Sequence, residues 1–246
     1  MSRMKNIILF LVAFCGIGLI ACDEREIPLF EDSNEIYFNL PHVNTPRDDA
    51  DTVLVSFFFY KESVNTLDIP LYVRLSGDLL QIPAAYLLEP VVDETSLPEE
   101  NYSLGEYMYP VGQTMDTITF QVFKSKRLES KIDTLTLTFK VNDIFQLGQQ
   151  EYAKRVILVT AEALRPEWWD RDFSFAMLGE YSAKKLRLFV NTVADEVEDI
   201  LHFDELDPAL QRKACLRFKY WLEAEKEAGR TVYEDDGKEM TVEVIG

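Results

Sequence analysis

The stretch Leu67-Asp68-Ile69-Pro70-Leu71-Tyr72-Val73-Arg74-Leu75-Ser76 decides the fold. Leu67, Ile69, Leu71, Val73 and Leu75 alternate with Asp68, Pro70, Tyr72, Arg74 and Ser76. In an extended chain successive side chains point to opposite faces, so the first set enters a core and the second faces outward. Pro70 lacks a backbone N–H, which predicts an edge position or a bulge there.

The same period recurs downstream. Ile118, Phe120 and Val122 share a face of 116–123. Leu135, Leu137, Phe139 and Val141 share a face of 133–142, with Thr134, Thr136, Thr138 and Lys140 opposite. Residues 35–40 and Val156–Ala161 read as strands, and weaker ones are expected near 86–92 and 102–109. Thr52–Tyr60 contains Phe57-Phe58-Phe59-Tyr60, apolar on both faces, which predicts a central, covered strand. About seven short strands with turn-rich gaps predict a mainly β fold, an antiparallel two-sheet sandwich over 35–164. The gaps are too short for crossover helices, which argues against a parallel α/β fold.

The pattern changes at Arg165-Pro166-Glu167-Trp168-Trp169-Asp170. Leu186, Phe189, Val190 and Val193 then follow helical spacing. A second helix is expected with Asp207 as cap, Pro208 at its first position, Gly229 after its end, and Leu210, Ala214, Phe218, Trp221 and Leu222 on its buried face. Asp235-Asp236-Gly237 predicts a turn into a final hairpin. Residues 165–246 are thus expected to form a Trp-Trp junction and a small C-terminal helical subdomain.

The N-terminus predicts a compartment. Arg3 and Lys5 precede an uncharged apolar run, Ile7–Ala21, shorter than the ~20 residues of a spanning helix. Leu19-Ile20-Ala21-Cys22 has the form of a lipobox. The expectation is a signal peptide over 1–21, acylation of Cys22, and an acidic tether over 22–34 that begins with Asp23-Glu24-Arg25-Glu26. Membrane lipid would then be the first partner. The acidic tether resembles the surface-export signal of Bacteroidetes-type lipoproteins, which implies outward display at the outer membrane over a periplasmic position; its plainer reading is a solvated linker. Cys215 has no intramolecular partner once Cys22 carries lipid, so a buried small hydrophobe is expected there.

Composition excludes some classes. An apolar share of 47% suffices for a core. Removing Arg3 and Lys5 from a chain of −18 leaves −20, which disfavours nucleic acid. Only His42 and His202 occur, neither with a metal-ligand neighbour, and both read as surface residues. Acidic runs at 93–100, 195–205 and 235–236 lack calcium-loop spacing and read as solvated loops or turns. No nucleophile, phosphate-loop, dinucleotide or zinc-protease motif occurs, so no catalytic residue, metal or cofactor is assigned and the chain is read as a non-enzyme. A glycoside hydrolase needs two carboxylates across a cleft, which spacing in sequence does not show. Trp168 and Trp169 are the candidate ligand-binding residues, as a stacking platform for a glycan. The competing reading is that they glue the sandwich to the helices, since adjacent side chains rarely share a face.

Taken together, Cys22 with its acidic tether, Ile27-Pro28-Leu29-Phe30, Ile36-Tyr37-Phe38, Val111-Gly112-Gln113 leading into Asp116–Phe120, Pro166-Glu167-Trp168-Trp169-Asp170 and Leu178-Gly179-Glu180-Tyr181-Ser182 carry a resemblance. The chain resembles an uncharacterised family of Bacteroidetes outer-membrane lipoproteins, a domain of unknown function encoded beside SusC/SusD-type uptake pairs. The 102–141 region also resembles a Calx-β or immunoglobulin-like repeat, without its series of calcium acids. The resemblance implies a lipid-anchored accessory protein of glycan or peptide uptake, with the transporter pair as a further partner. A structural spacer with no small ligand is the alternative. The family supplies no catalytic residues.

Overall fold

The computed structural model describes residues 34–39, 52–197 and 199–245. The expected signal peptide over 1–21, Cys22, His42 and most of the expected tether over 22–34 lie outside them.

Among the described residues ten strands form two five-stranded sheets. The first contains β1 (Asn34–Phe38), β3 (Thr66–Ser76), β5 (Tyr102–Ser103), β7 (Met115–Phe123) and β9 (Phe145–Leu147), in the order β5-β7-β3-β1-β9. The second contains β2 (Thr52–Ser56), β4 (Ala84–Pro90), β6 (Tyr107–Tyr109), β8 (Asp133–Lys140) and β10 (Lys154–Thr160), in the order β2-β10-β8-β4-β6. This is the expected immunoglobulin-like, Calx-β-like sandwich. Two pairings are parallel, β1 with β9 and β2 with β10. A period of two reports which face a residue takes and is silent on strand direction.

The alternating residues behave as read. Leu67, Ile69, Leu71, Val73 and Leu75 are buried against Leu135, Leu137, Phe139, Ile157 and Val159 of the opposite sheet. Val141 departs from this: β8 ends at Lys140, and Val141 is 48% exposed in the turn beyond it. Pro70 sits inside β3 and pairs with Thr119 of β7. Its missing N–H faces the β1 side, because Tyr72, two residues on, accepts there from Asn39 N–H at 2.8 Å. The pairing described for β1 stops at Phe38 opposite Val73, so among the described residues no ladder bond is lost at Pro70.

Thr52–Tyr60 is not a central strand. β2 stops at Ser56 on the edge of its sheet, and Phe57–Phe59 form one 3₁₀ turn capped by Ser56 Oγ. Phe57 enters the sandwich core, while Phe58 and Phe59 enter a second core among the helices. Apolar character on both faces arises because the segment serves two cores.

That second core is built on α1 (Ala183–Val193) and α2 (Pro208–Glu227). Leu186, Phe189, Val190 and Val193 of α1 are fully buried. Ser182 caps α1, and Asp207 caps α2 by accepting from Ala209 N–H, with Pro208 at the first position. Gly229, at φ +76°, ends α2. Ala214, Cys215, Phe218 and Leu222 are buried, whereas Trp221 is half-buried, stacked on Phe218 at 5.9 Å. Burial pushes the Cys215 thiol up to about 12, which leaves it an inert hydrophobe. Of the expected final hairpin, a tight turn at Gly237 and one bridge, Tyr233 to Glu239, are present. Glu234 fastens this segment to α1 through buried Lys185 at 3.2 Å and Ser182 Oγ at 2.7 Å.

The sandwich has two unlike ends. Asn34, where the preceding chain joins β1, pairs with Phe145, and Glu35 pairs with Ser76. The turns 77–83, 110–114 and 141–144 therefore gather at this entry end. At the other end Ser56 pairs with Thr160, and the helices pack on Phe58 and Phe59.

Candidate functional site

The tryptophan pair is not a platform. Trp168 is 5% exposed and Trp169 is 0% exposed. The turn closed by Trp169 N–H on Pro166 O sets their rings side by side, stacked at 5.6 Å and 13°. Adjacent side chains do share a face here, because a turn, unlike a strand, does not send them apart. Trp168 Nε1 donates to Ile200 O at 2.8 Å and Trp169 Nε1 to Gly179 O at 3.0 Å. Phe173, Phe203 and Tyr181 close around the rings. Apolar body and polar tip are both satisfied inside the second core, as packing requires and a ligand platform does not.

Partly exposed aromatics, Tyr72 among them, line the outer face of the first sheet, while Phe175, Tyr220 and Tyr233 are exposed in the helical region. The register sets Tyr37 beside Arg74 and Met115, Tyr72 beside Thr117, and Asp68 beside Gln121. Tyr72 is 40% exposed. The Tyr37 ring meets the Tyr152 ring at 6.2 Å. Gly148 lies under Tyr37, where an added Cβ would come within 2.7 Å of the ring. Diagonal neighbours on a sheet face are within reach of long side chains, so Tyr152, Tyr37 and Tyr72 form a row across three chain segments. Polar groups border it. Gln121 Nε2 donates to Asp68 Oδ1 at 2.9 Å, and Asn39 N–H is held by Tyr72 O.

The row leads into a cleft of about 350 Å³ at the helical end. Tyr72, Asp68 and buried Arg155 line its sandwich side, and Tyr60, Asp199 and His202 line the rest. His202, read as a surface residue, is exposed, with Nδ1 2.8 Å from Asp199 Oδ2. Burial, and secondarily the Asp199 charge, hold the Tyr60 hydroxyl above its usual range, so it stays a neutral donor. Tyr60 is fixed in place by α1: Arg187 donates to its carbonyl at 2.9 Å and lies 4.0 Å over the Phe58 ring. Lys61 pairs with Asp195 at 2.5 Å, and Glu62 N–H donates to Asn191 at 3.1 Å. The acidic run at 195–205 is thus partly engaged, since Glu196 also pairs with Lys213 and Arg217.

Flat, partly exposed rings flanked by amide, carboxylate and guanidinium groups offer stacking faces and hydrogen bonds to a polar ligand with apolar faces. Among the described residues no three His, Cys, Asp or Glu side chains gather as a metal would need. None of the described helices is long and apolar enough to cross a membrane. Tyr72 was legible as outward-facing from strand parity. Nothing in the sequence marks Tyr37, Tyr60 and Tyr152, because only strand register and the helical cap bring them to it.

Fold and site together define a class: an immunoglobulin-like sandwich with a helical cap and an exposed aromatic face. The family described as domain of unknown function DUF4843 matches residues 30–194, and the chain belongs to it. The match takes in the sandwich, the tryptophan pair and α1. Comparison with curated proteins finds no match. Among solved structures the chain is similar to the apo-form Calx CBD1 domain, at 10% identity and TM-score 0.35, over 52% of this chain and 97% of that one. It is also similar to a two-domain protein of unknown function from Bacteroides fragilis, at 10% identity and TM-score 0.38, over 53% and 46%. A third is a Bacteroides ovatus protein provisionally described as carbohydrate-binding, at 12% identity and TM-score 0.38, over 52% and 37%. The chain thus spans less than half the length of either Bacteroides protein.

Proposed function

We propose that this chain is a non-enzymatic accessory protein of the cell envelope, anchored at the outer membrane by lipid on Cys22, which holds a glycan for a SusC/SusD-type uptake pair. The observation that carries the binding role is the row Tyr152, Tyr37 and Tyr72, with Tyr72 exposed and Tyr37 and Tyr152 half-buried, continuous with the cleft beside Tyr60. Anchoring rests on the sequence Leu19-Ile20-Ala21-Cys22.

A screen of residues 23–246 against polysaccharides by affinity electrophoresis tests the binding role. Retardation that is lost in Tyr72→Ala, without loss of fold, is the expected result. A spacer with no small ligand is the second reading, favoured by the complete burial of Trp169. No retardation on any polysaccharide selects it and removes the glycan role.

A further inference from the structure

Several large apolar side chains are solvent-exposed at the entry end of the sandwich. Leu79 and Ile82 stand on the β3–β4 turn, Val111 on the β6–β7 turn and Ile144 on the β8–β9 turn, with Met108 and Val141 at the rim. Ile82 is 73% exposed. The turns are tied to one another and to the strands: Gly112 N–H donates to Leu80 O, Leu75 N–H to Thr114 O, and Asn142 Oδ1 accepts from Ile144 and Phe145. The side chains are therefore presented by braced turns. Burying them would remove apolar surface from water, and single side chains on separate turns make points of insertion, not a groove.

The chain preceding Asn34 joins the sandwich at this same end, since Asn34 pairs with Phe145 and Glu35 with Ser76. Cys22 lies only twelve residues upstream of Asn34. Twelve residues span at most roughly 40 Å, so lipid on Cys22 would keep this end within reach of the bilayer. The helical end, with the cleft, lies at the far end of the strands.

We propose that the turns 77–83, 110–114 and 141–144 form a membrane-contacting tip, which inserts Leu79, Ile82, Val111 and Ile144 into the lipid surface beside the anchor and turns the cleft away from it. The membrane reading rests on the lipid anchor proposed above. The lipid is of zwitterionic type: the three turns carry Asp78 and Asp143 and no Lys or Arg, so an anionic surface would repel them.

The test uses the full chain, acylated and reconstituted in phosphatidylethanolamine–phosphatidylcholine vesicles. An environment-sensitive probe is placed through Ile82→Cys, Val111→Cys or, at the helical end, Tyr233→Cys. Cys215 is buried, with its thiol pushed up to about 12, and stays unlabelled. The expected result is a blue shift and quenching by spin-labelled lipid at 82 and 111, with neither at 233. Ile82→Asp with Val111→Asp should lower the lipid-quenched fraction of a probe at 144 by about tenfold while the acylated chain stays bound. Probes at 82 and 111 that remain in water on vesicle-bound protein overturn the tip and leave the anchor standing. Shielding that appears only in native membranes, and not in these vesicles, assigns the tip to a protein partner and likewise overturns it. Mass spectrometry of the N-terminal peptide reads acylation separately. An unacylated chain whose probes still enter lipid upholds the tip and removes the anchor, and one whose probes stay in water removes both.

Discussion

The helical cap and the outer face of the first sheet use aromatic residues in opposite ways. In the cap, Trp168 and Trp169 are stacked, buried and hydrogen-bonded to backbone carbonyls. On the sheet, Tyr37 and Tyr72 lie along an outer face, over Gly148 and beside Arg74, Asp68 and Gln121. The larger, rarer side chains serve the fold, and the tyrosines keep part of their rings in solvent. Residue type alone therefore says little about whether a ring is open to solvent; the face on which strand parity and register place it says more.

Several substitutions would break or sharpen that contrast. Trp169→Ala should have the largest effect, costing about 3–5 kcal/mol of stability by opening a void in the helical core. Chemical denaturation of the variant measures it, and a loss below ~1 kcal/mol would mean that the pair is not structural. Gly148→Ala comes next, at about 1–3 kcal/mol, because its Cβ must displace the Tyr37 ring. The same variant should weaken glycan binding, whereas Trp169→Ala should not do so in the fraction that remains folded.

A smaller effect belongs to the sandwich end nearest the cap. Asp133 is buried and holds Arg127 at 2.5 Å, Lys131 at 3.3 Å and Ser96 at 3.0 Å. The bond from Arg127 is the main cause that holds its carboxyl down to about 2. The folded state thus binds the proton less readily than the unfolded chain, so this stabilisation is present above about pH 4 and is lost as pH falls toward 2. Screened by solvent around the half-exposed Arg127, it amounts to on the order of 1 kcal/mol. Asp133→Asn should flatten the acid limb of a thermal-melting series by that amount. Tyr72→Ala should move stability least, within about 0.5 kcal/mol, because the ring is exposed on a sheet face. A melting curve equal to that of the parent chain would confirm that the tyrosine is not there for packing.

Much of the sandwich was legible in Leu67–Leu75, Ile118–Val122 and Leu135–Phe139, where burial on one face imposes a period of two. The helices were legible from the Leu186–Val193 spacing and the Asp207-Pro208 start. Phe57–Phe59 were not, because a covered strand and a turn shared between two cores leave the same apolar run. The parallel pairings of β1 and β2 were not, since alternation carries no direction. Of the tyrosine row, Tyr72 was placed outward by parity, but its company with Tyr37 and Tyr152 depends on register between segments more than thirty residues apart.

Affinity electrophoresis of residues 23–246 beside the double variant Tyr37→Ala with Tyr72→Ala tests the tyrosine row most directly. Retardation of the parent chain by a polysaccharide, abolished in a double variant that still unfolds in one cooperative transition, is the predicted result. Equal migration of both chains on every polysaccharide, or retardation that survives the loss of both rings, would contradict it.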